Sequence, residues 1–290
     1  MNNNDIILKI SKLSKNYDSF SLKNVDMCLK KGKIMGFVGI NGAGKTTVIS
    51  SLAGLVIPSD GKIELFGEVI NKKNESRIRN RMAFVLDGNY YYPDLTLNQM
   101  KKIVADAYSN WDEEIFKKYI QKFKLPLKKK IKTLSKGMKL QYSIALALSH
   151  HAELIVMDEP TSGLDPLVRI ELMEIIKEIA SKGISILFSS HITQDIEEIA
   201  DDVVFIHNGE IVFQKDMQTI KNSYFKVEGN ISYLNTENEK LFLHVQKRSN
   251  MFIGIYYGSK ADISLELPDS KIESAGIEDI MFGIICGNKK

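Results

Sequence analysis

Only two cysteines, Cys28 and Cys286, occur in the 290 residues, and neither stands at a metal-ligand or disulfide spacing. That excludes a disulfide framework and leads us to expect a reduced, cytosolic compartment. No apolar run approaches the roughly 18 residues a membrane-spanning helix needs; the C-terminal run Ile280–Cys286 stops after seven. Met1–Asp5 lacks a basic region followed by a long apolar core, so no secretory leader is expected. Internal repeats and low-complexity linkers are missing as well. Excess charge is also missing. A net charge of +3 does not argue for a nucleic-acid partner, and it does not repel an anionic membrane surface. What remains is ordinary for a soluble globular protein, at 44% hydrophobic and 26% charged residues, in a chain long enough for one large domain or two.

Against that plain background one stretch is distinctive. Gly39-Ile40-Asn41-Gly42-Ala43-Gly44-Lys45-Thr46 fits the phosphate-binding pattern G-x-x-x-x-G-K-[ST]. A triphosphate tail needs many donors at close range. Glycines let the backbone wrap so that its N–H groups point at the phosphates. In this pattern Lys45 reaches the β- and γ-phosphates and the Thr46 hydroxyl sits on Mg²⁺. Thr47 is expected to begin the next helix, whose N-terminus also favours anions. The context agrees: Lys33–Val38 reads as a buried strand, and Val48, Ile49, Leu52 and Leu55 have the spacing of a helix's buried face. Four fixed positions arise by chance in roughly one chain of this length per hundred.

A second segment, Glu153–Pro160, is an apolar strand ending in two carboxylates. A strand buried on both faces carries carboxylates only at its exposed C-terminal end. Asp158 is placed to hold Mg²⁺ directly or through water, and Glu159 to polarise an attacking water.

Elsewhere the chain alternates strand and helix signals. Strands are expected in 6–38, at Lys62–Phe66, Arg81–Leu86 and Ile184–Ser189, with short helices over 74–81 and Ile192–Ala200. A longer helix runs from Pro166 to Ser181, with Pro166 suited to its first turn and Gly183 to its stop. A helical block interrupts the alternation. It runs from Asp94 to about Leu125, with Ile103, Ala107, Ile115, Tyr119, Ile120 and Phe123 as core contacts, and resumes over Ser135–His150. Asn208-Gly209 between two short apolar runs reads as a tight hairpin turn. Beyond about 222 come strand-like runs at Tyr224–Val227, Lys240–Gln246, Phe252–Tyr257 and Ile263–Leu267, then a short amphipathic segment, Ile277–Ile285.

Five further segments fall in a fixed order around these two sites. They are Tyr17, which lies 28 residues before Lys45; Met82–Asp87 with Tyr92–Thr96 downstream; Leu134-Ser135-Lys136-Gly137-Met138; Ser162-Gly163-Leu164-Asp165; and His191. As an ordered set over about residues 5–220 they resemble the ATP-binding subunit of an ABC transporter. The LSKGM run in place of the usual LSGGQ, and Asp87 in place of a glutamine, make the chain similar to the Gram-positive branch of bacitracin-type and other peptide exporters.

The resemblance implies an α/β fold, a P-loop NTPase cassette with a mixed-sheet core, an antiparallel β subdomain and a helical subdomain at about 94–150. The cassette would occupy 1–221, followed by a small α+β domain over 222–290. It implies ATP and Mg²⁺ as ligands. ATP would be bound by Tyr17 stacking on adenine, by Asn41, Gly42, Gly44, Lys45, Thr46 and Thr47, and by Ser135 and Gly137 of an opposing chain. Thr46, Asp87 and Asp158 would serve the metal, and Glu159, His191 and Lys45 the chemistry. It further implies a homodimer, or a heterodimer with a second ABC ATPase, on the inner face of the cell membrane, driving an integral membrane subunit that exports peptides such as amphipathic toxins or antimicrobials. Tyr90-Tyr91-Tyr92 falls where the family receives a helix of that subunit. A soluble relative acting on ribosomes or DNA is the competing reading. It is disfavoured by a single cassette with no heptad run and no basic stripe.

Overall fold

The structure, a computed structural model, describes residues 5–86 and 91–287. The chain divides into two compact units: residues up to 191 together with 199–214, and 192–198 together with the residues from 215 onward.

The first unit opens with β1 (Ile6–Asn16) and β2 (Ser21–Lys30), an antiparallel pair. Then comes β3 (Ile34–Val38), whose five residues are all buried, so its sequence is continuously apolar rather than alternating. The phosphate-loop segment leads into α1 (Lys45–Leu52). The helix begins at Lys45, two residues before the expected Thr47, because the turn at Gly44 already releases the helical path. It ends at Leu52, so Leu55 lies beyond it and is 67% exposed rather than buried. Next are β4 (Asp60–Leu65), β5 (Glu68–Val69), α2 (Glu75–Arg79) and β6 (Met82–Val85).

The helical block follows as α3 (Leu97–Ala107), α4 (Glu113–Lys122) and α5 (Lys136–Ser149). The helical stretch from Asp94 to Leu125 is built of two helices, α3 and α4. Thr96 starts α3 with a reciprocal capping box to Gln99, and the Asp112 carboxylate accepts the N–H groups of Glu114 and Ile115 to start α4. Ile103 and Ala107 on α3 are exposed, lining an open cavity, while Tyr119 and Ile120 are buried as expected.

β7 (Leu154–Asp158), α6 (Pro166–Ser181), β8 (Ser185–Ser190), β9 (Asp202–His207) and β10 (Glu210–Asp216) complete this unit's elements, while α7 (Thr193–Ile199), between β8 and β9 in the chain, falls almost wholly in the second unit. The hairpin turn carries positive φ at both Asn208 and Gly209, as a type I′ turn requires. The strands form a four-stranded sheet ordered β2-β1-β4-β5 and a six-stranded sheet ordered β10-β9-β3-β8-β7-β6. Leu8, Leu22, Phe37, Val48, Leu187 and Val204 belong to one continuous core. From β9 through β6 the pairing is parallel. The carboxyl ends of β3, β7 and β8 therefore share one edge, where open α/β sheets place ligands.

In the second unit, α8 (Met217–Ser223) precedes β11 (Tyr224–Asn230), β12 (Phe242–Arg248), β13 (Met251–Tyr257), α9 (Lys260–Glu266), β14 (Lys271–Ser274) and α10 (Ile277–Gly287). The sheet is antiparallel, ordered β12-β13-β11-β14. The strand expected at Ile263–Leu267 is instead the end of a helix. Ile263 and Leu267 are one helical turn apart and share the core with Phe225 and Phe252, whereas Leu265 between them is 82% exposed. Ser259 caps this helix by accepting the Ala261 N–H. Among the described residues no helix is long and apolar enough to cross a membrane.

Candidate active site

The loop between β3 and α1 is shaped by two glycines with different needs. A side chain at Gly39 would place its Cβ 2.6 Å from the Ile206 carbonyl oxygen, so only glycine allows this approach. Gly44 has φ +114°, a left-handed conformation that residues with a Cβ rarely adopt. Asn41 and Gly42 are exposed at the loop's tip. Lys45, by contrast, is only 6% exposed, and its Nζ donates to the Gly39 carbonyl at 2.6 Å. The ammonium is thus folded back over its own loop. Thr46 and Thr47 are the next two residues of this helix.

The ends of β7 and β8 meet this loop. Thr46 Oγ1 donates to Asp158 Oδ2 at 3.3 Å, and Ser189 Oγ donates to Asp158 Oδ1 at 2.7 Å. Burial pushes the Asp158 carboxyl above the usual range, the Ser189 hydrogen bond opposes that, and the neighbouring Glu159 charge adds to it. Glu159 has φ +48°, in the left-handed region, which is uncommon for a non-glycine residue. The turn is held by the Glu159 N–H, which donates to the Ser189 carbonyl at 3.1 Å, and by the Glu159 carbonyl, which accepts from Ser162 N–H at 3.1 Å. So turned, the Glu159 carboxylate lies between two cations or potential cations. Lys45 Nζ is 3.3 Å from Oε1, and His191 Nδ1 is 2.6 Å from Oε2. The His191 backbone N–H donates to the same Oε2 at 3.2 Å.

The donor set fits a divalent cation with a phosphate ligand. Thr46 and Asp158 bring two hard oxygens together around a buried carboxylate that gains from an added positive charge. Among the described residues no group of three or more His, Cys, Asp or Glu forms a metal cluster.

The structure therefore gathers Lys45, Thr46, Asp158, Glu159 and His191 into one connected group. Ser135 and Gly137 sit elsewhere, at the start of α5. Ser135 Oγ caps that helix by accepting the Met138 N–H at 3.2 Å. Gly137 is buried where a Cβ would come 2.7 Å from Val168 Cγ1 of α6. Tyr17 follows β1, is 44% exposed, and has Lys15 Nζ 5.6 Å from its ring centroid. Asp87 and Tyr90 lie outside the described residues.

Sequence reasoning missed Ser189. Its signal lay in the register: in the parallel pairing of β7 with β8, Asp158 stands opposite Ser189. It also missed an apolar cavity of about 660 Å³ in the same unit, lined by Phe84, Leu86, Tyr91, Val104, Leu140 and His150 among others. Tyr91 lines it half-buried, donating to Ser143 Oγ at 3.0 Å, and desolvation raises its phenol to about 12. His150 stacks on Tyr108 at 3.8 Å, and burial lowers it to about 4. Tyr92 beside them is 64% exposed.

The ABC transporter family matches residues 22–162. The bacitracin transport ATP-binding protein of Bacillus licheniformis is 38% identical over 212 residues, which span 71% of this chain and 68% of that protein. A lantibiotic transport ATP-binding protein of Streptococcus pyogenes is 34% identical over 227 residues, 74% of this chain and 93% of that one. A solved ATP-binding subunit of an ABC transporter superposes with a TM-score of 0.67 at 30% identity, covering 74% of this chain and 92% of the other. With the phosphate loop, the acidic strand end and the cassette architecture all in one unit, the chain belongs to the ABC transporter ATP-binding proteins, with Gram-positive bacitracin and lantibiotic transport ATP-binding proteins among its relatives.

Proposed function

We propose that the chain is the motor subunit of a peptide exporter, hydrolysing ATP between two facing cassettes and passing the movement to a separate membrane subunit. The observation that carries this is the Glu159 carboxylate, placed between Lys45 and His191 at the mouth of the phosphate loop.

In this reading Lys45 and the backbone N–H groups of Asn41, Gly42, Gly44, Thr46 and Thr47 hold the triphosphate. Thr46 and Asp158 would hold Mg²⁺, which when bound neutralises phosphate charge. Asp87 is assigned to the same cation. Glu159 accepts a proton from the water that attacks the γ-phosphorus, as the bond to the leaving ADP oxygen breaks. His191 fixes the Glu159 carboxylate through Oε2. Lys45 leaves Glu159 for the phosphates when substrate enters, which frees Oε1 for the water. Tyr17 stacks on adenine. Ser135 and Gly137 serve the γ-phosphate of the opposing cassette from the N-terminus of α5. Closure then depends on the γ-phosphate, since that group makes contacts only in the closed state.

The apolar cavity beside Tyr91, with the exposed Tyr92 near it, suits the docking of a helix from the membrane subunit. Such docking would hold the chain on the inner face of the membrane. The named cargoes of its relatives, bacitracin and lantibiotics, are peptides. That supports a peptide cargo here. The test is to isolate tagged Glu159→Gln with ATP and Mg²⁺ from detergent-solubilised host membranes. An integral membrane protein of several spans is expected with it. Ribosomes or nucleic acid and no membrane protein would overturn the transport reading.

A further inference from the structure

One fully buried hydroxyl has no part in this scheme. The strand β8 runs Ile186-Leu187-Phe188 and then turns polar at Ser189, which has no exposed surface. A hydroxyl buried there costs free energy unless it is satisfied. Ser189 spends its proton on Asp158 Oδ1 at 2.7 Å. The other oxygen, Oδ2, is the one that meets Thr46 Oγ1. The two carboxylate oxygens are thereby divided, one tied to the sheet and one turned to the phosphate loop. The backbone carbonyl of the same serine takes the Glu159 N–H and supports its left-handed turn.

We infer that Ser189 is a positioning residue for the divalent cation, fixing the Asp158 carboxylate so that Oδ2 is presented beside Thr46. The inference rests on the ATPase reading above, in which Asp158 serves the metal. A carboxylate held by a second partner binds metal in one orientation without having to be ordered at the moment of binding. Loss of such a partner weakens metal affinity by roughly 10–100-fold.

The test uses the full chain with Mn²⁺ as the probe, its binding read by electron paramagnetic resonance in the presence of ADP, and ADP binding read separately in EDTA. Ser189→Ala is expected to weaken Mn²⁺ about tenfold or more while leaving metal-free ADP affinity unchanged. Ser189→Thr, which keeps the hydroxyl on a strand-compatible side chain, restores it. Unaltered Mn²⁺ affinity in Ser189→Ala overturns the inference. So does a loss of metal-free ADP binding that Ser189→Thr does not rescue, since that marks a merely structural serine. Asp158→Asn is measured alongside. If it binds Mn²⁺ as tightly as the parent, Asp158 is not a metal ligand and both readings fall. If it weakens Mn²⁺ and Ser189→Ala does not, only the role of Ser189 falls.

Discussion

Glu159 Oε1 lies 3.3 Å from Lys45 Nζ, while Oε2 of the same carboxylate lies 2.6 Å from His191 Nδ1. In the proposed function one oxygen is tied to a group that moves to phosphate, the other to a group that stays in place. Binding and chemistry should therefore separate by mutation. Glu159→Gln is expected to slow hydrolysis by roughly 10²–10⁴ and to retain ATP binding, as measured by steady-state phosphate release and equilibrium nucleotide titration. Lys45→Ala loses a charge-assisted contact to phosphate and should weaken ATP binding roughly tenfold or more. Near-normal turnover in Glu159→Gln would remove it as the base, and normal ATP affinity in Lys45→Ala would defeat the phosphate-loop assignment.

Asp158 carries a stability cost that its charge creates. Burial raises its folded pKa above the ordinary 3.8. Between those two values the folded state binds more protons than the unfolded one, so stability falls as pH rises through that window and stays reduced above it. Asp158→Asn removes the buried charge. In EDTA without nucleotide it should melt at a higher temperature than the parent at pH 7, with the advantage shrinking as pH falls toward 3.8. A lower melting temperature at pH 7 would show that the hydrogen bonds from Ser189 and Thr46 outweigh the desolvation.

His150 gives the opposite pH dependence. Burial lowers its folded pKa from 6.5 to about 4. Between those values the unfolded chain binds the extra proton, so stability is lost as pH falls from 6.5 to about 4. The full effect is on the order of 3 kcal/mol, from the size of that shift. Urea unfolding of His150→Phe, which keeps a ring against Tyr108, should show a shallower loss over this range than the parent. An equal loss would place the acid sensitivity elsewhere.

The cassette was legible because its informative residues are local. The phosphate loop, the acidic end of β7 and the Asn208-Gly209 turn each state their geometry within a few residues. The start of α6 was legible from Pro166, its first residue, because the fixed φ and missing N–H of proline suit a helix's first turn. What stayed hidden depends on contacts between distant segments. Ser189 gains its meaning only from the register with Asp158. Ile103 has the spacing of a core residue, yet it lines the open cavity. Residues 263–267 fit a two-residue and a four-residue period equally, and only the packing of Ile263 and Leu267 on the sheet decides for helix.

Tyr92 offers a test of the docking surface that does not touch the chemistry. At 64% exposed, its replacement by Ala should change stability by no more than about 0.5 kcal/mol. The isolated chain should keep its ATPase activity. Retention of the membrane subunit on the tagged chain should drop several-fold, read by quantitative mass spectrometry. Undiminished retention would move the docking surface away from Tyr92.

Gly137 has two reasons to be glycine, and they can be told apart. A Cβ there would stand 2.7 Å from Val168 Cγ1, closer than packed side chains tolerate. Gly137→Ala should therefore destabilise the fold by about 1–3 kcal/mol through overpacking alone. Val168→Ala removes the clashing methyl, so the double variant should recover much of that loss in a thermal or urea double-mutant cycle. ATPase activity then separates the two reasons. If activity returns together with stability, the glycine serves the packing of α5 on α6. If stability returns while ATP-dependent dimerisation and hydrolysis stay low, the backbone at Gly137 must approach the opposing nucleotide more closely than a methyl group allows.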